Sequence, residues 1–187
     1  MTIYYKHKDF YIRPVGDNDM DLLMNHRNDF YTWKNLTAPV PITPAKQEAW
    51  FNSLSDKERQ YFVLVKIEQL ENHPIFTGTE IGMVRMDEID FINRSCRVGI
   101  DIFKNHRGNR YSYNGWDLVL KYCFDELGVN RVWLLVLEIN DVAIRVYNKL
   151  GFVKEGAMRQ AIFRGGRFLD YVMMSILREE FHNDPIV

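Results

Sequence analysis

The run from Cys96 to Phe152 constrains the fold most, because its hydrophobic period switches repeatedly within a short length. Cys96 to Phe103 alternates, placing Val98, Ile100 and Ile102 on one face of a strand. Trp116, Val119, Leu120, Cys123, Phe124 and Leu127 then recur at helical spacing, and Gly128 stands where a helix-ending glycine belongs. Val132 to Leu137 is a short apolar strand. Asn140 is a helix N-cap, Ala143, Val146, Tyr147 and Leu150 form the inner face of the helix it starts, and Gly151 ends it. A strand–helix–strand–helix succession excludes all-α and all-β folds. Each helical crossover implies locally parallel pairing.

The remaining segments fit around this unit. Phe10 to Pro14 reads as a short strand stopped by proline. Met20, Leu23 and Met24 are spaced for a helix within Asp17 to His26. Arg27 to Ile42 reads as an irregular, aromatic-rich stretch. Thr43 before Pro44 marks an N-cap followed by proline at the first helical position, opening a helix through Trp50, Phe51 and Leu54. Tyr61 to Ile67 and Glu80 to Met86 read as strands, joined by an exposed turn over Glu68 to Thr79. Phe152 to Ala157 and Asp170 to Leu177 are strand-like. The order β-α-α-β-β-β-α-β-α-β-β gives a mixed α/β (α+β) sheet with two parallel steps and an antiparallel remainder. The chain has 187 residues without repeat, low-complexity segment or linker, so one domain over residues 1–187 is expected.

Composition excludes several classes of function. Apolar residues are 47% and charged residues 26%, ordinary globular values. A net charge of −1 gives no electrostatic pull toward nucleic acid or an anionic membrane, so neither is expected as a partner. No run of about 18 apolar residues is present, and the N-terminus lacks a signal peptide's apolar core. The two cysteines, Cys96 and Cys123, have no CxxC spacing and read as reduced thiols. A cytoplasmic location follows as an expectation. The five histidines lack HxxxH or HxxE spacing, so no metal is expected.

Two stretches carry chemistry. Ile102 to Ser112 joins a strand to a helix start, where unpaired N–H groups and the helix dipole favour an anion. Lys104, Arg107 and Arg110 add positive charge, and Gly108 lets a ligand approach the backbone; a solvated basic turn is the alternative. Farther on, Tyr147 is either a core tyrosine or a phenol able to donate a proton to a departing group.

Together these stretches resemble the Gcn5-related N-acetyltransferase (GNAT) superfamily. The resemblance runs from Phe10 to Leu177 and is strongest from Val98 to Phe152. The family's cofactor loop, Q/R-x-x-G-x-G/A, aligns with Arg107-Gly108-Asn109-Arg110-Tyr111-Ser112. Arg110 and Ser112 depart from it. The segment N-x-x-A-x-x-V-Y-x-K-L-G-F, from Asn140 to Phe152, matches throughout and is similar to the branch of spermidine, ribosomal-protein and amino-sugar-nucleotide acetyltransferases.

The resemblance implies a mostly antiparallel sheet of about seven strands with about four helices, splayed between two central parallel strands. It implies acetyl-CoA as co-substrate. Backbone groups of Ile100 and Ile102 would meet the pantetheine arm, Arg107, Gly108, Asn109, Arg110, Tyr111 and Ser112 the pyrophosphate, and Asn140 the arm near the thioester. Tyr147 would lie beside the sulfur as the catalytic residue. The reaction would be direct attack by a small-molecule amine, a polyamine or an amino sugar nucleotide. A ribosomal-type N-terminal acetyltransferase and a non-catalytic CoA sensor remain alternatives. Glu80, Glu88 and Asp101 are the acidic options for a base, with no choice among them. Arg27 would suit a phosphate and Asp29 a cationic amine. The sequence is silent on oligomeric state. Relatives that pair as dimers make a homodimer one option, and Tyr171 to Leu177 would suit either an interface or a buried strand.

Overall fold

The structure, a computed structural model, describes residues 3–36, 40–54, 59–68 and 77–183. Its strands are β1 (Tyr5–His7), β2 (Phe10–Pro14), β3 (Gln60–Glu68), β4 (Thr77–Asp90), β5 (Ser95–Ile102), β6 (Arg131–Leu137), β7 (Val153–Arg164) and β8 (Arg167–Leu177). Its helices are α1 (Met20–Asn28), α2 (Phe30–Trp33), α3 (Pro44–Asn52), α4 (Tyr111–Lys121), α5 (Asp141–Lys149) and α6 (Arg178–Asn183). One further strand, β1, and two short helices, α2 and α6, thus join the elements expected from sequence. The stretch expected to be irregular contains α2, whose first turn Asp29 caps by accepting from the N–H groups of Tyr31 and Thr32. The turn expected over Glu68 to Thr79 lies, from 69 to 76, outside the described residues. Thr43 caps α3 as its spacing predicts, accepting from the N–H of Lys46.

The sheet runs β1-β2-β3-β4-β5-β6-β8-β7. Among these neighbours β5 and β6 are parallel and every other pair is antiparallel. Two parallel steps were expected, and the second does not form. After α5 the chain enters β7, but β8 lies between β7 and β6. Gly165 and Gly166 make the hairpin that joins β7 and β8. Both take positive φ, 55° and 77°, which suits a two-residue hairpin turn, and they pair Arg164 with Arg167. The hairpin makes β8 the neighbour of β7, and β8 then fills the free edge of β6.

One face of the sheet carries the main core. α4 lays Trp116, Leu120 and, through its π-turn extension Tyr122–Glu126, Cys123 and Phe124 onto Leu64, Val84, Cys96, Val98 and Val132. Each of these is essentially inaccessible to solvent. The two thiols, Cys96 and Cys123, face each other at 3.9 Å and are unbonded. The opposite face carries α1 and a smaller cluster of Leu23, Met83 and Phe103, flanked by Trp50 of α3 and Tyr61. No helix among the described residues is long and apolar enough to cross a membrane.

Candidate active site

β5 and β6 pair only at Ser95–Arg131, Cys96–Val132 and Arg97–Trp133, although the strands continue to Ile102 and Leu137. Beyond that point they part. The N–H of Phe103 donates to Ile81 of β4, so alternation turns the backbone groups of Val98, Ile100 and Ile102 the other way, into the gap. Strand edges left open in this manner are ready to pair with an extended ligand.

The gap opens into a cleft of about 800 Å³. At one end lies the start of α4. Gly108 has φ +87° and Arg110, which caps the helix, φ 58°. Such left-handed positions favour glycine, which gives a physical reason for the glycine usual at residue 110 in the family loop. Here an arginine accepts the strain. Its side chain is exposed, lines the cleft and has no partner among the described residues. The N–H groups from Gly108 to Tyr113 are likewise taken up by no described residue. With the positive end of the α4 dipole, they form an anion cradle.

The other residues anticipated from sequence are placed as follows. Ile100, Ile102, Arg107, Gly108, Arg110, Tyr111, Ser112, Asn140 and Tyr147 all line the cleft. Asn109 does not, and its side chain donates instead to the carbonyl of His106 at 3.4 Å. The side chain of Arg107 is held within the protein, with Nε on the carbonyl of Ile102 at 3.1 Å, one terminal nitrogen on Thr32 at 2.6 Å and the other near Asp29 at 3.6 Å. Asn140 caps α5 through Oδ1, which accepts from the N–H of Ala143, and its amide nitrogen has no partner among the described residues. Tyr147 is half-buried between Trp116 and Phe152, at ring distances of 5.5 and 5.7 Å. Burial pushes its phenol above the ordinary tyrosine range, and Asp101 and Tyr171 add to the shift against Arg85.

Of the three acidic options, only Asp101 reaches the cleft. Glu80 pairs with Arg13 at 3.3 Å and Glu88 with Arg97 at 3.1 Å. Asp29 is bound to Lys104 and Arg107 besides capping α2. Asp101 shares its Oδ2 with Arg85 of β4 at 3.1 Å. Arg85 reaches it by lying across Gly99, where an added Cβ would come within 2.9 Å of the guanidinium. Gly99 is therefore a close-approach glycine on which the ion pair depends. Sequence reasoning missed Arg85 and Tyr171 as lining residues. Neither belongs to a motif, and cross-strand register alone brings them there.

Residues 9–153 match the family described as the acetyltransferase (GNAT) domain. The chain belongs to the GNAT acetyltransferase family. This GNAT protein is 30% identical to the spermidine N(1)-acetyltransferase of Vibrio cholerae, over 86% of its own length and 87% of that enzyme's. It is 27% identical, over 70% of each chain, to a putative ribosomal N-acetyltransferase of Bacillus subtilis. The crystal structure of the Vibrio cholerae spermidine N-acetyltransferase in complex with CoA and spermine superposes with a TM-score of 0.82 at 25% identity, covering 94% of this chain and 99% of that one. The GNAT chain is accordingly an acetyl-CoA-dependent N-acetyltransferase with a mixed, mostly antiparallel sheet. The cleft holds groups suited to such a co-substrate: open strand edges, and N–H groups and an arginine without partners among the described residues.

Proposed function

We propose that the protein acetylates a primary amine of a small molecule by direct attack on acetyl-CoA within the β5–β6 cleft. One observation carries this reading: the strands part where the free N–H groups of the α4 start and the Tyr147 phenol face the same cavity. Pantetheine pairs with the backbone of Ile100 and Ile102 and with the amide of Asn140. The pyrophosphate sits on the N–H groups from Gly108 to Ser112, with Arg110 beside it. Arg107, already engaged by Thr32 and Asp29, holds the loop in place. The unbroken eight-stranded sheet supports treating residues 1–187 as one domain.

In the reaction the amine nitrogen bonds to the thioester carbon, the carbon–sulfur bond breaks, and the nitrogen gives a second proton to solvent as the amide forms. An alkylammonium has a pKa of about 10, so the amine must first give up a proton. Asp101 Oδ1, the oxygen not held by Arg85, receives the ammonium and passes that proton to solvent. A backbone N–H of β5 facing the gap steadies the oxyanion. Tyr147 then faces the departing sulfur. Full transfer from a phenol above its ordinary range to a thiolate whose acid lies at about 8.5 runs uphill. The phenol therefore acts as a hydrogen-bond donor to sulfur in the transition state, and the thiol takes its final proton from solvent.

The test is release of free thiol from acetyl-CoA with a panel of polyamines, amino sugars, amino acids and peptides. Amine-dependent release with small molecules sustains the reading. Tight CoA binding without release from any amine would replace it by a sensor, and release only with peptides would shift it to protein N-termini.

A further inference from the structure

Beside the cleft lies a second cavity of about 290 Å³, walled by α1, α3, β3, β4 and β5. Arg27 and Arg85 line both cavities, so the two adjoin. The charges around the smaller one divide into satisfied and unsatisfied groups. Arg85 is matched by Asp101. Arg97 is matched by Asp87 at 3.5 Å and Glu88 at 3.1 Å, and Asp87 also accepts from the Tyr61 hydroxyl. Lys46 is exposed at the rim, 3.5 Å from the carbonyl of Pro41.

Arg27 differs from the rest. It is half-buried and makes no ion pair or hydrogen bond among the described residues. Burial and the neighbouring Arg85 pull its pKa below the ordinary arginine value, although Asp101 and Tyr61 oppose them. A guanidinium withdrawn from water without a counter-ion is costly, and folded chains rarely keep one idle. Gln47, buried to 6% exposure, also lines this cavity, and its side-chain amide has no described partner. The residues between Phe30 and Gln47 that line the two cavities include no Asp or Glu, and Asp29 is bound elsewhere.

We infer that this second cavity receives an anionic group, carboxylate or phosphate, carried by the amine acceptor, and that Arg27 selects it. The inference rests on the acetyltransferase reading above and narrows its substrate class. The acceptor's amine lies at Asp101 in the cleft and its anionic end at Arg27, with the Gln47 amide as a further donor. Arg27 is a specificity determinant and takes no part in bond making.

The test compares matched amines by kcat/KM: phosphoethanolamine against ethanolamine, glucosamine 6-phosphate against glucosamine, and 4-aminobutyrate against 4-aminobutyramide, with spermidine alongside. The anionic member of at least one pair should lead by about tenfold or more, chiefly through KM, as one charge-assisted contact provides. The pair that responds distinguishes phosphate from carboxylate. Arg27→Gln and Arg27→Ala should bring that ratio toward one, Arg27→Lys should keep part of it, and CoA affinity reports that each variant is folded. A ratio of one or less in every pair, a ratio unaltered in folded Arg27 variants, or spermidine outrunning every anionic amine would overturn the inference. If no amine releases thiol, the acetyltransferase reading is what fails. Calorimetry with inorganic phosphate and with acetate on the CoA-loaded protein then decides the pocket: heat in the wild type that is lost in Arg27→Gln sustains the anion site, and no heat refutes it.

Discussion

The two faces of the sheet are built from different materials. Under α4 and α5 the buried side chains are almost all apolar and form one cluster, from Phe10 across to Ile176. Its main exception, Asp117, is matched by His7 and Lys8, both at 3.0 Å. On the α1–α3 side the apolar residues form two small clusters, one of Leu23, Met83 and Phe103 and one of Tyr11, Val63 and Val65, and Asp19, His26, Thr32 and Gln47 are buried on that side as well. The first face secures the fold by excluding water. The second keeps polar groups at low dielectric, where each charge acts strongly on whatever enters. Apolar packing and buried polar groups are thus divided between the faces, and the β5–β6 gap, which Tyr147 lines from the α4–α5 face and Asp101 from β5, connects them.

Substitutions can break or sharpen that contrast. The largest effect is expected from Trp116→Ala, which empties the centre of the apolar face and should cost about 4 kcal/mol in urea unfolding. If it costs little, the main core lies elsewhere. On the polar face Asp19→Ala should cost about 3 kcal/mol, because it removes the carboxylate whose two oxygens Arg13 holds at 2.7 Å and leaves that guanidinium only the longer contact to Glu80 at 3.3 Å. Burial alone would raise the Asp19 pKa, but hydrogen bonds from Arg13 and the Gly16 N–H outweigh it and hold the value below the ordinary range. The pair's contribution is therefore present above about pH 4 and lost as pH falls through the folded value. Stability measured against pH should show that acid-side loss in the wild type and lack it in the variant.

A smaller effect tests where the faces meet. Tyr147→Phe should lower kcat about a hundredfold, or roughly 2.7 kcal/mol, while CoA affinity holds. Because the phenol's pKa is raised, the wild-type rate should not fall as pH passes 10, the ordinary tyrosine value. A decline there would remove Tyr147 from its role. The smallest change should come from Arg110→Gly. It should relieve left-handed strain of about 1 kcal/mol and raise Tm, yet weaken CoA binding by removing a cation from the cradle. Weaker binding without added stability would mean that the backbone there is unstrained.

The core face was the easier to read. Trp116, Val119, Leu120 and Cys123 announce a buried helix face by spacing alone, and the motif from Asn140 to Phe152 carries its own cap and stop. The acceptor side offered Arg27, Asp29 and Asp101 as charged residues without indicating their partners. Asp29 turns to Lys104 and Arg107, Asp101 turns to Arg85, and Arg27 is left without a partner among the described residues.

The order of the longer elements, the caps at Thr43 and Asn140 and the family were determined by sequence, because periodicity and capping are local and survive without knowledge of the fold. Tertiary structure alone decided that β8 would enter between β6 and β7, that β5 and β6 would part beyond Arg97, and that Arg85 would cross Gly99 to reach Asp101. Those outcomes depend on strand register and on which charges meet across it, and such pairings leave no period along the chain.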